Sequence, residues 1–125
     1  MRIGFDLFER LAPAYPLYRG GDPTQRAAEV FPHATACLLA GGLRERATPK
    51  HVFRSQTLRR AGVRSPELTT PDQIDAALAA LTGLIALEGG HCGVGDPDEG
   101  VILLPVPRLP DASLSRDAQA AGTRR

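Results

Sequence analysis

Gly100-Val101-Ile102-Leu103-Leu104-Pro105 is the stretch that decides the fold class. Four apolar residues between a glycine and a proline are too few for a helix, and they lack the alternation of a strand with one wet face. The pattern is that of a strand covered on both sides, as in the interior of a parallel sheet. A second strand is predicted at Arg26-Ala27-Ala28-Glu29-Val30-Phe31. Phe31 precedes Pro32, which pushes it toward an extended backbone. Pro32 then suits the first position of a helix running to Leu39 and Ala40, closed by Gly41-Gly42. The period of two puts Ala27, Glu29 and Phe31 on one face of that strand and Ala28 and Val30 on the other. An α/β unit follows, with segments 27–31 and 101–104 as parallel neighbours or separated by one strand.

The helices are read outward from these strands. Residues 2–12 carry Phe5, Phe8, Leu11 and Ala12 at helical spacing, and Pro13 stops them. Residues 14–23, with two prolines, two glycines and two tyrosines, read as a loop. Thr48-Pro49 and Thr70-Pro71 use one device twice, a hydroxyl N-cap followed by proline at the first helical position. Thr70-Pro71-Asp72-Gln73 is in addition a capping box. The helix it opens carries Ile74, Leu78, Leu81 and Ile85 as its apolar stripe and ends near Gly89-Gly90. The glycine-rich run 89–95 fits neither dinucleotide nor P-loop spacing, follows a helix instead of opening one, and reads as a connecting loop. Four helices on two strands leave a marginal sheet with open edges. The expectation is therefore an incomplete unit, with strands supplied by another chain or by sequence ahead of Met1.

The 125 residues suffice for one domain with its own core, expected over 1–105, with a disordered tail over 106–125. No apolar run is long enough to span a bilayer, the first six residues hold two charges, and two cysteines make no disulfide framework. The expected setting is cytoplasmic, with no membrane contact. Net charge is +1, but its distribution is uneven. Residues 19–64 hold nine basic and three acidic side chains, whereas residues 65–111 hold one basic and eight acidic. A basic half beside an acidic half suits a polyanion-binding surface facing a carboxylate site; two solvated faces that attract each other would leave the same pattern.

Candidate chemistry is sparse. Glu29 lies near the end of its strand, just before a helix, where α/β sheets place their sites. Asp72 and Asp75 are neighbours on the capped helix. Asp72 is accounted for by the helix dipole at the second helical position. Asp75 stands about 90° from the centre of the apolar stripe, at its edge. His33 and Cys37, one helical turn apart, and the adjacent His91 and Cys92 could suggest zinc, but adjacent donors are poor ligand spacing and Cys37 lies among apolar neighbours. No serine has a nucleophile-elbow context.

Four segments, read in order, resemble one family: Ala28-Glu29-Val30-Phe31-Pro32-His33-Ala34; Pro49-Lys50 followed by Arg54, Leu58 and Gly62; Asp72 to Thr82; and Asp98-Glu99-Gly100-Val101-Ile102-Leu103-Leu104-Pro105. Together they resemble the domain-of-unknown-function family four-twenty-nine, placed among predicted ribonuclease-H-like nucleases, over roughly residues 3–105. The resemblance implies a ribonuclease-H-like fold and metal-dependent hydrolysis of nucleic acid with Mg²⁺ or Mn²⁺. Glu29 and Asp75 would be catalytic metal ligands and Asp72 an accompanying catalytic acid. The opening strands of the family, with their first aspartate, have no counterpart here, so the chain is expected to correspond to its C-terminal part. To these the reading adds Lys50 and Arg54, one helical turn apart, as nucleic-acid phosphate contacts. The alternative is a noncatalytic remnant or a nucleic-acid- or protein-binding module with the same fold. If the chain starts at Met1, its uncovered sheet calls for a homodimer or another protein partner.

Overall fold

The computed structural model describes residues 2–64 and 67–110, with side chains from residue 5. The elements in order are α1 (Arg2–Leu11), β1 (Glu29–Val30), α2 (Pro32–Ala40), α3 (Lys50–Arg60), α4 (Pro71–Leu87), β2 (Cys92–Asp96) and β3 (Gly100–Leu104). The class is α/β: four helices with a three-stranded mixed sheet of order β1-β3-β2. Strand β3 is central and parallel to β1, pairing Glu29 with Ile102 and Val30 with Leu103. The two predicted strands are parallel neighbours, as their sequences require.

Strand β1 is shorter than its five-residue reading. Ala27 turns away from β3 and bonds instead to the preceding segment: its amide donates to the Pro16 carbonyl and its carbonyl accepts from the Tyr18 amide. Leu17 and Ala27 thus form an isolated parallel bridge inside what reads as a loop. At the other end Phe31 is extended, with φ −117° and ψ 97°, and α2 starts on Pro32.

The run 89–95 read as a connecting loop is one only as far as His91; from Cys92 it enters β2, which is antiparallel to β3 over its whole length. Glycines give a strand no side-chain pattern, and here packing is what demands them. A Cβ on Gly93 would sit 2.7 Å from Val101 Cγ1 and 3.0 Å from the Tyr18 hydroxyl oxygen. Gly95 has φ +128°, and a Cβ there would strike the Gly100 carbonyl. Asp96 closes the hairpin: its side chain accepts from the Asp98 amide and its carbonyl from the Glu99 amide.

Helix α4 joins two cores. Its start packs Ile74 and Leu78 against Ala36 of α2 and Leu58 of α3. Its end packs Ala86 against Tyr18, Val101 and Leu103, with Ala28 and Val30 alongside. Between them the buried hydroxyls of Thr35 and Thr82 meet at 2.9 Å. Thr82 donates its proton to the Leu78 carbonyl, so Thr35 is the donor in the pair. The buried stripe is therefore Ile74, Leu78, Thr82 and Ala86, with Leu81 and Ile85 only half-buried. It is rotated from the expected stripe because small side chains let α2 and the sheet approach α4 closely.

The Thr70 capping box is present as read: the Gln73 amide donates to Thr70 Oγ1, and Gln73 Oε1 accepts from the Thr70 amide. Thr48 does not cap α3. Pro49 is the N-cap, with no side-chain hydrogen bond, and the Thr48 carbonyl is taken by the Arg44 guanidinium. Residues 106–110 form neither helix nor strand, and the rest of the expected tail lies outside the described residues.

Candidate nucleic-acid interface

The first turn of α2, the first two turns of α3 and the second turn of α4 converge on one side chain, Arg54. Its Nη1 donates to both carboxylate oxygens of Asp75, at 2.8 and 3.1 Å. Its Nε donates to His33 Nδ1 at 3.4 Å. Three helices are thus tied by one guanidinium, a fork well suited to a carboxylate. The rotated stripe explains the pairing. Asp75 lies about 40° from the centre of the true buried stripe, closer than the sequence suggests, and so faces α3. Its side chain keeps 34% exposure, against 18% for Arg54, so the pair forms part of the surface.

Because His33 Nδ1 accepts from Arg54, the ring's proton lies on Nε2, 3.7 Å from Cys37 Sγ. His33 is held neutral. Burial pushes its pKa below the ordinary imidazole value, and the charges of Arg54, Lys50 and Arg44 push the same way, while Asp75 opposes them. The ring lies between Phe31 and Phe53, with centroid separations of 6.5 and 6.0 Å.

Around His33 the helices offer positive charge without caps. Neither α2 nor α3 has a side-chain N-cap or an acid in its first turn. Lys50, the first residue of α3, is exposed where the dipole disfavours a cation. Such ends attract anions.

Of the residues singled out from sequence, Arg54 and Asp75 are in direct contact, and Lys50 is close enough for its charge to act on the same histidine. Arg54 commits its Nε to His33 and its Nη1 to Asp75. Asp72 is exposed in the first turn of α4. Glu29 is exposed on β1, near the Gly100 backbone. His33 and Arg44 are the members that sequence reasoning missed as a pair with this cluster. Their signal was the placement of His33 just inside a proline-initiated helix, facing an α3 rich in cations. A divalent-metal site requires several converging donors. Among the described residues no group of three or more His, Cys, Asp and Glu side chains stands close enough to hold a metal ion. With Asp75 already neutralised by Arg54, the donor set present does not fit the two-metal centre that the resemblance implies.

No helix among the described residues is long and apolar enough to cross a membrane. No curated protein and no solved structure matches the chain. A family model does match, over residues 1–99, which takes in three of the four resembling segments and stops at the threshold of β3. The chain belongs to the family described as Protein of unknown function (DUF429).

Proposed function

We propose that the chain is a nucleic-acid-binding module of the ribonuclease-H-like kind, gripping the phosphodiester backbone at the shared start of α2 and α3. One observation carries the reading: the uncapped, acid-free starts of α2 and α3 are joined by the Arg54–His33 hydrogen bond, with Lys50 exposed at the first position of α3. Arg44 is held by the Glu45, Arg46 and Thr48 carbonyls and Arg54 by Asp75 and His33, which leaves Lys50, exposed at the first position of α3, to face a ligand. Lys50 opposes its own helix dipole, and Asp75 is paired with Arg54. Backbone phosphates supply the missing negative charge. Lys50 is the direct phosphate contact, Arg44 adds its charge from a guanidinium held by the carbonyls of its own loop, and Arg54 holds the two helix starts in register through His33 and Asp75.

The finer reading, phosphodiester hydrolysis with Mg²⁺ or Mn²⁺ held by Glu29 and Asp75 and assisted by Asp72, is weaker for this donor set. It needs a further carboxylate and an opened Arg54–Asp75 pair. The two readings separate in one experiment. Labelled single-stranded, duplex and hybrid substrates are incubated with the protein, with and without Mg²⁺ or Mn²⁺. Binding without metal, weakened in Lys50→Ala, is the result expected of the module. Metal-dependent cleavage that Asp75→Asn abolishes would establish the enzyme instead.

A further inference from the structure

We infer that the interface selects single-stranded nucleic acid, with Phe31 as the platform on which a base stacks; this rests on the binding reading above. The Phe31 ring is 52% exposed at the junction of a strand and a helix. Its backbone is fixed there, extended by Pro32 on one side and by the β1–β3 pairing on the other. The ring is also backed: it makes a tilted contact with His33, which in turn packs on Phe53. Phe31 is therefore a backed, solvent-facing aromatic surface two residues from the histidine that Arg54 bonds, with Lys50 exposed at the start of the same helix as Arg54.

An aromatic face beside clustered cations is the pairing that single strands use: cations follow the phosphates while unstacked bases lie on the ring. A duplex keeps its bases stacked inside and offers phosphates alone. Stacking on Phe31 would tolerate any base, since each has a π-face, so preference for strand state is expected without preference for sequence. Glu29, two residues away at the start of β1, adds one negative charge at the edge and limits how many phosphates the site can follow.

The test compares short oligo(dT) and oligo(U) with a hairpin duplex in fluorescence anisotropy titrations at fixed salt. Phe31→Ala is expected to weaken single-strand binding about tenfold or more while leaving duplex binding unchanged. Phe31→Trp should restore it. Because the natural sequence has no tryptophan, that variant carries a single indole whose emission should be quenched by single strands and not by the duplex. Far-UV circular dichroism checks that both variants fold. Equal single-strand affinity of Phe31→Ala and the natural protein overturns the inference and leaves backbone binding intact. Equal affinity of the natural protein for single strands and duplex overturns it too. Failure to bind any of the three probes overturns the binding reading along with it.

Discussion

At the scale of the residue, His33 shows how position converts an ordinary side chain into a junction. It accepts from Arg54, lies between two phenylalanines and is kept neutral by burial first and by three cations second. The unfolded imidazole takes up its proton near the usual value of about 6.5, before the folded one does. The stability contributed by neutral His33 is therefore complete above that value and is lost as the pH falls from there through the lower folded pKa. The melting temperature should decline as the pH falls below about 6.5. His33→Asn, whose side-chain oxygen can accept from Arg54 without titrating, should flatten that decline. Parallel profiles for the two proteins would show that His33 is not its source. The sequence disclosed Asp75 as the acid at the edge of a buried face, because a helix carries its own ruler. It did not disclose the partner: which cation meets Asp75 depends on how α3 crosses α4, and no local pattern encodes a crossing.

At the scale of the element, legibility follows side-chain content. Strand β3 and helix α4 could be read because apolar runs, capping residues and prolines each leave a local signature, and the capping box at Thr70 occurs as read. Strand β2 could not. Its five residues include two glycines selected by what stands opposite them, Tyr18 and Val101 at Gly93 and the Gly100 carbonyl at Gly95. The available clue was the turn chemistry of Asp96-Pro97-Asp98-Glu99-Gly100 just ahead of the strand at 101–104. This account of β2 makes a thermodynamic prediction. Gly95→Ala combines a left-handed backbone with a clash against fixed backbone, and should cost about 2 kcal/mol or more. Gly42→Ala, at a site with open space and ordinary φ, is the control and should be nearly neutral. Equal denaturation midpoints for the two variants would mean that the hairpin is not packed as described.

At the scale of the whole molecule, the two cores do not cover all the apolar surface. Phe5 and Leu7 on α1, and Leu84 and Leu87 on α4, are each more than half exposed. The trough between α4 and the sheet, of about 330 Å³, is lined largely by apolar and small side chains, including Val30, Ala79, Gly83 and Leu103. Exposed apolar area of this kind favours association, and each large aliphatic side chain covered would add roughly 1.5–3 kcal/mol. Light scattering at micromolar concentration should therefore report a dimer or a larger species. A strictly monomeric protein with a sharp, cooperative melt would contradict that expectation. The charge pattern was legible at this scale as well: the basic stretch 19–64 supplies every cation around His33, and the acidic stretch supplies Asp75. What the sequence could not convey is that one guanidinium ties the two halves together.

The central claim is that the cations at the start of α3 grip phosphates. It is tested most directly by the salt dependence of oligonucleotide affinity for the natural protein and for Lys50→Ala. The natural protein should lose affinity linearly on a log–log plot against salt concentration, with a slope of about −0.7 per phosphate contacted on a single strand. Removing the Lys50 ammonium should weaken binding to all sequences alike and reduce the steepness of that slope by about one contact. Identical slopes for the two proteins, or affinity that ignores salt, would contradict the account.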